Sequence, residues 1–357
     1  MIYRARTLKA VSAWIADKRG AWSGGADLQS ADRVCPGFHL YRGFVGCPAW
    51  AAGQPCSYCY LRTTFRTDPE LREGVAWGEP LADCADCHRQ EDDGSCRVPE
   101  CSIPVDVSPA RAAVEKWLQQ TGAELCGDGA CNDFGCHGCD LRVLNAGELA
   151  DSLAFSPEEN PHIGMLLDLF SDPATNPHGH KLLLLTKAGL KATQAHLGRH
   201  PERSEGPRLP SPNIILSWSV GTESDAERYW DPQLDRLRAA VVAARAAWRV
   251  RLRLDPLSYI GPWFVYNLAN QVARLSASSA QSTDGRFPEL ITLGTLRHRG
   301  GRAKLPPEER ATIYRAALEG LRGGGYEGEI GLCKETPAMI RDVLGLEPES
   351  MRCNCLP

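Results

Sequence analysis

The sequence predicts an α/β protein, a partial (β/α) barrel with a cysteine-rich insertion. Three observations predict it: short β-rich apolar runs recur along the chain, helical stretches separate them, and all but three of the fifteen cysteines fall before residue 140. Strand and helix in alternation mark βαβ units and a parallel sheet. About seven such strands suit a full or partial barrel better than a sandwich.

A first strand is expected near 39–45. The others are LRVLNA at 141–146, KLLLLTK at 181–187, NIILSWSV at 213–220, VRLRLDPL at 250–257, LITLGTL at 290–296 and EIGLC at 329–333. DAERYWDPQLDRLRAAVVAARAAW, between two of these runs, repeats Leu, Val and Ala at helical spacing. SPARAAVEKWLQQTG reads as a helix, with Ser108 as its cap and Pro109 at the first helical position. The polar, proline-rich stretch at 199–212 reads as an exposed loop. The organisation expected is an N-terminal extension (1–34), a barrel (35–345) with insertions at about 84–101 and 126–139, and a tail (346–357) that carries a Cys-x-Cys pair.

A chain of 357 residues and 39.0 kDa is ample for a continuous core. Its 24% charged and 43% hydrophobic residues exclude wholesale disorder and a multi-span membrane protein. The net charge of −4 gives no field that draws it onto nucleic acid, so a contact there would need a local patch such as Arg297, His298, Arg299 and Arg302. No run has signal-peptide character or the length of a spanning helix, and the expected compartment is the cytoplasm. In a reducing compartment clustered thiols more often ligate metal than form disulfides.

Cys47, Cys56 and Cys59, in GCPAWAAGQPCSYCYLRTTF, are separated by eight and then two residues and follow the first predicted strand. Three thiolates can hold three irons of a 4Fe-4S cluster and leave the fourth open to an exogenous ligand. Cys56 and Cys59 with two other thiols would also make a zinc site. This stretch resembles the cluster loop of radical S-adenosylmethionine (SAM) enzymes. CSYCYLRTTF, with Tyr58 between its cysteines, is similar to that of the spore photoproduct lyase family. The usual spacing there is three then two, so AWAAGQP lengthens the loop, which costs little closure entropy.

The resemblance implies a partial barrel of the radical SAM type, with the cluster and SAM at the C-terminal mouth. It implies reductive cleavage of SAM to a 5′-deoxyadenosyl radical that abstracts hydrogen from an unidentified substrate, a nucleic acid lesion or modified base being one candidate. In NAGELADSL, residues Asn145, Ala146, Gly147, Glu148, Asp151 and Ser152 look like the motif that holds the SAM amino group. Gly147 would let backbone approach the ligand and Glu148 would accept from a cationic amine, while a helix N-cap at Asp151 or Ser152 is the plainer reading. Lys187 stands where that family pairs a lysine with the SAM carboxylate. Ser217 and Ser219 alternate on one face of the next strand, suited to the methionyl or ribose part or to packing alone. Arg253 and Asp255 share a face in the same way. The photoproduct lyases also use a cysteine just after the second strand, and this chain has none between Leu141 and Leu332, which sets thymine-dimer repair apart from the ancestry of fold and cofactor.

Two further sets each supply four thiols: Cys84, Cys87, Cys96 and Cys101, and Cys126, Cys131, Cys136 and Cys139. Structural zinc, an auxiliary Fe–S cluster and disulfides are the readings of these sets. The helix between them would hold the sets roughly 20 Å apart, which favours two centres. Cys35, Cys333, Cys353 and Cys355 form a candidate auxiliary site, or the last two a mobile thiol pair at the mouth, or an exposed tail without a role. An electron donor such as flavodoxin or ferredoxin is the partner expected of an enzyme of this kind. The competing class is a non-catalytic Fe–S or zinc protein that binds nucleic acid or a partner through its cysteine-rich insertion.

Overall fold

A computed structural model describes residues 6–7, 14–17, 39–45, 107–122, 124, 142–147, 150–157, 160–198, 208–221, 232–257, 261–280, 287–295 and 305–355. In chain order the strands are β1 (Arg6–Thr7), β2 (Ile15–Asp17), β3 (His39–Tyr41), β4 (Phe44–Val45), β5 (Val143–Asn145), β6 (Lys181–Thr186), β7 (Ile214–Ser219), β8 (Arg249–Leu254), β9 (Leu290–Leu293) and β10 (Glu329–Leu332). The helices are α1 (Ser108–Leu118), α2 (Pro161–Ser171), α3 (Leu190–Leu197), α4 (Gln233–Arg245), α5 (Pro262–Ala280), α6 (Pro307–Gly323) and α7 (Pro337–Leu344).

The main sheet has eight strands in the order β10-β9-β8-β7-β6-β5-β3-β2. From β3 to β10 every pairing is parallel, and β2 adds antiparallel at the β3 edge. Each parallel strand therefore lies beside its predecessor in this sheet. Right-handed crossovers in one unbroken direction put the helices on one face and leave the other concave, which is the partial barrel expected. The expected first strand divides at Arg42: β3 joins this sheet, while β4 pairs with β1 in a separate two-stranded one.

Side-chain alternation sorts the two faces. Leu182 and Leu184 of β6, Leu216 and Trp218 of β7, and Val250 and Leu252 of β8 point to the helix layer and form the main core. One residue out of phase, Val143, Leu183, Leu185 and Ile215 form a smaller cluster on the concave face. A strand apolar on both faces reads as a continuous run, which is why KLLLLT stands out in the sequence. Burying each such leucine contributes about 1.5–3 kcal/mol.

Helix α1 starts at Ser108 itself, with Val107 at the cap position and no side-chain capping bond, so the expected Ser108 cap gives way by one residue. Its far end is clamped to the floor of the barrel. His180 accepts the Arg142 N–H on Nδ1 (3.1 Å), which leaves Nε2 to donate to the Gln120 carbonyl at 2.7 Å. Burial holds His180 below the ordinary histidine range. The chain thus leaves α1, and re-enters β5 at Arg142, at the end of the sheet opposite the mouth.

The concave face is covered by the C-terminal tail. Arg352 runs along β10, where a side chain at Gly331 would collide with the Arg352 carbonyl. Asn354 reaches β7 and β8: its Oδ1 accepts from Ser217 Oγ (2.9 Å) and its carbonyl from Arg251 Nη1 (2.9 Å). Cys355 packs on the inner leucine cluster. Cys353 and Asn354 are buried and Cys355 is half-buried, so the tail is packed into the barrel and not an exposed extension. Among the described residues no helix is long and apolar enough to cross a membrane.

Candidate functional site

The C-terminal ends of β5 to β10 form one mouth, and the residues that the concave face presents there are polar. Asn145 ends β5. Its Oδ1 accepts the Gly147 N–H at 2.9 Å, which fixes the amide so that Nδ2 turns inward, fully buried and with no hydrogen-bond partner. The loop after it lies across the end of β6, with Ala146 N–H on the Leu183 carbonyl and Ser152 N–H on the Leu185 carbonyl, both 3.0 Å.

Gly147 sits where this loop passes the β6 backbone. A Cβ there would fall 2.6 Å from Leu185 N, so the glycine is required by the chain's own close approach, whatever ligand it also meets. Gly147→Ala is expected to push the loop off β6 and to lower stability by about 1–3 kcal/mol in urea unfolding, the usual cost of overpacking. An unchanged midpoint would show that the loop yields freely.

Asp151 is taken up by the fold. Its Oδ1 accepts from Thr186 Oγ1 (2.7 Å) and Leu153 N–H (3.0 Å), and Oδ2 from Lys187 N–H (2.6 Å). Burial raises its pKa, and these hydrogen bonds pull the other way. Of the expected cofactor contacts, this carboxylate instead fastens the β5 loop to the end of β6. No helix begins at Asp151 or Ser152, because those bonds hold the chain in successive bends; the next helix starts at Pro161. Ser152 is fully buried and its hydroxyl has no partner.

Lys187 follows the last residue of β6 and is half-buried at the rim. Ser217 and Ser219 share the concave face of β7 as expected, but Ser217 is occupied by Asn354, and Ser219, one turn of the pleat closer to the mouth, is half-buried. Arg253 and Asp255 pair with each other (Nη2 to Oδ2, 2.7 Å), and Cys333 lies 4.0 Å from the same guanidinium nitrogen. Lys334, next to Cys333, has φ 51°, and Glu335 behind it is locked by Arg310 at 3.1 Å and by Tyr314 at 2.9 Å. A backbone residue in the left-handed region is strained, and here a buried ion pair holds it.

Cys333, Cys353 and Cys355 form no disulfide. Among the described residues no group of three or more His, Cys, Asp or Glu side chains is placed to hold a metal. Cys333 sits at the rim, whereas Cys353 belongs to the buried core, so the expected auxiliary site is not assembled from these three. Tyr58, Glu148, Cys35, Cys47, Cys56, Cys59, both four-cysteine sets and the Arg297–Arg302 patch lie outside the described residues.

Two residues of this face escape a sequence reading. Thr292 is flanked on β9 by Ile291 and Leu293, both in the helix-side core, so it faces inward, and its hydroxyl is buried without a partner. Asn354 carries a partnerless Nδ2 as well. Period-two alternation in LITLGTL could have marked Thr292; no local pattern marks Asn354.

No protein-family model matches the chain, and no curated protein matches it. Among solved structures it is similar to a spore photoproduct lyase complexed with dinucleoside spore photoproduct, at 12% identity and TM-score 0.45, over 81% of this chain and 75% of that one. It is also similar to a double variant of spore photoproduct lyase with bound AdoMet and the same dinucleoside, at 14% identity and TM-score 0.37, over 74% of this chain and 57% of that one. The chain thus spans under two thirds of the length of the AdoMet-bound lyase and three quarters of the other.

Proposed function

We propose that this chain is a radical SAM enzyme of the spore photoproduct lyase-like kind, with Cys47, Cys56 and Cys59 as ligands of a 4Fe-4S cluster. One observation carries most of the reading: the concave face of the barrel turns polar at its mouth, and buried donors there lack partners, in a chain whose three-cysteine segment is entered from that same end of β3. Buried polar groups are ordinarily satisfied, so donors left open on a concave face fit a polar ligand. The donor set suits SAM, which offers carboxylate, hydroxyl and ring-nitrogen acceptors.

When bound, the cluster would supply the electron that cleaves SAM to a carbon radical. The chain's own residues hold the cofactor. Glu148 would accept from the SAM amino group, and the Lys187 ammonium would meet the carboxylate across a strand end. Asn145, whose amide oxygen accepts from Gly147 N–H, would offer its Nδ2 to the same ligand. A flavodoxin or ferredoxin is the electron donor that this reading calls for, and a nucleic acid lesion or modified base is its substrate class. The two four-cysteine sets take structural zinc or an auxiliary cluster.

The reading is tested on anaerobically reconstituted protein by iron and sulfide content and by 5′-deoxyadenosine formed from SAM with dithionite. A brown protein that yields 5′-deoxyadenosine supports it. A colourless, zinc-loaded protein that shifts DNA and leaves SAM intact replaces it with a binding module. Within the reading, Glu148→Gln and Lys187→Met are each expected to weaken SAM binding about tenfold or more while the cluster spectrum persists, since each removes a charged hydrogen bond. Equilibrium dialysis decides, and unchanged affinity in both variants would unseat the two residues.

A further inference from the structure

The end of the barrel opposite the mouth carries more cations than its carboxylates can pair. Lys181 opens β6, Asn213 stands before β7, Arg249 opens β8, Glu289 stands before β9 and Glu329 opens β10, so these residues line the entry ends of five neighbouring strands. Arg352 of the tail joins them through Glu289 and Glu329. Lys181 is in phase with Leu183 and Leu185, and Arg249 with Arg251, so both cations turn to the concave side of the sheet. Lys181, Arg249, Arg251 and Arg352 set four positive charges against the two carboxylates of Glu289 and Glu329, which leaves two.

Much of the surplus falls on Lys181. Glu289 takes three guanidiniums, whereas among the described residues Lys181 forms no ion pair; its ammonium donates to a neutral amide, Asn213 Oδ1 at 2.7 Å. The Phe170 carbonyl orients that amide by accepting from its Nδ2 at 3.3 Å. Burial first, and the nearby Arg249 charge second, hold Lys181 below the ordinary lysine range, while Glu289 pulls the other way. An ammonium half out of water beside a guanidinium is destabilised, and a bound anion would relieve it.

This end is open to solvent. Lys181 and Asn213 are half-buried, Pro212 is exposed and the Arg249 side chain is 25% exposed. Arg249 stands level with Ile215, yet its Nη1 reaches back to donate to the Pro212 carbonyl at 3.0 Å. Ammonium and guanidinium therefore converge from two sides on the entry of β7. An ammonium has three N–H groups, and Asn213 uses one. A phosphate group, close to a dianion at neutral pH and with three acceptor oxygens, matches both the surplus charge and the donors, whereas a carboxylate brings half the charge. Glu289, the carboxylate closest to this point, is turned to its three guanidiniums and neutralised by them.

We propose that Lys181 and Arg249 bind a phosphate group, as free phosphate or a phosphate monoester, at the entry of β7. The site lies at the opposite end of the barrel from the mouth, and it stands whether or not the chain cleaves SAM.

The test uses the full-length protein at one ionic strength, made up with sodium chloride, with inorganic phosphate and a nucleoside monophosphate as probes. Isothermal titration gives dissociation constants and thermal unfolding a second readout. Wild type is expected to bind at least one probe and to melt higher with it than in chloride alone. Lys181→Met is expected to weaken binding about tenfold or more, the scale of a charged hydrogen bond, and to melt no lower than wild type in chloride, since it removes a charge without a carboxylate partner. Lys181→Arg, which keeps the charge, is expected to bind within about threefold of wild type. Tighter binding of the monophosphate identifies an ester as the ligand, and equal or weaker binding identifies the free anion. Lys181→Gln takes the place of Lys181→Met should the latter fail to fold. A wild type that binds neither probe, or a folded neutral variant that binds as tightly as wild type, overturns the proposal.

Discussion

Replacing Cys47, Cys56 and Cys59 together by alanine is expected to bring 5′-deoxyadenosine formation from SAM down to background. Three thiolates leave the fourth iron open, and that open iron is where an exogenous ligand gains access to the cluster. With no protein thiolates the cluster has no anchor, so the loss is complete rather than graded. The parallel sheet itself is expected to survive. Most of its main core comes from β5 to β10 and the helices outside them, such as Leu144, Leu182, Leu216, Leu252 and Leu293, joined by Tyr41, Phe44 and Cys353, and its concave cluster is Val143, Leu183, Leu185 and Ile215. Far-ultraviolet circular dichroism would be near wild type while iron and sulfide fall by one cluster's content. A triple variant that cleaved SAM at the wild-type rate would end the assignment. One that lost its fold along with its iron would show instead that the cluster staples this end of the barrel.

The barrel was legible because its strands are short and apolar on both faces. Lys181–Thr186 lies within the run that the sequence shows, β7 and β10 agree with theirs to within one residue, and β8 and β9 end three residues before theirs. The β5 run shrinks to Val143–Asn145 because the loop from Ala146 turns aside to lie over β6. The mouth was legible in part. Asn145, Lys187 and Ser219 are at strand ends, where spacing alone puts them. What Gly147 and Asp151 do locally was not, since their partners, Leu185 and Thr186, are some 35 residues away in sequence. The tail was the least legible element. Arg251 reads as one half of an alternating strand, yet its partners are Glu289 and Asn354, 38 and 103 residues along the chain. A short polar segment such as RCNC has no pattern of its own, and only the open concave face explains why it is buried.

Glu289→Ala is expected to cost about 3–5 kcal/mol, because it takes the paired carboxylate from a buried arginine. Glu289 precedes β9 and its carboxylate gathers three guanidiniums: Arg249 Nη2 at 2.6 Å, Arg251 Nη2 at 2.8 Å and Arg352 Nη2 at 3.2 Å. Arg251 is fully buried and Arg352 belongs to the tail, so one carboxylate ties the floor of the barrel to the segment that covers it. Arg352 keeps a second partner in Glu329 at 2.7 Å, and Arg251 keeps the Asn354 carbonyl at 2.9 Å. Burial pushes the Glu289 carboxyl up, but its hydrogen bond with Arg249 and the Arg251 charge outweigh that and bring it from 4.5 to about 2. A carboxyl depressed by folding contributes stability that is in full above its unfolded value and fades as pH falls. The wild type should therefore lose this contribution between about pH 4.5 and 2, and Glu289→Ala should have none to lose. Asp151, which burial raises, acts with the opposite sign, so the difference between the two pH curves is the quantity to read. Urea midpoints at neutral pH give the size of the effect, and peptide-resolved alkylation of Cys353 and Cys355, faster in the variant, shows the tail coming loose. Arg251→Met, which removes the buried charge itself rather than its carboxylate, should cost less than Glu289→Ala. Equal urea midpoints for wild type and Glu289→Ala, with superimposable pH curves, would mean that the cluster contributes nothing to the fold and that the tail is held by Ser217 and the inner leucines alone.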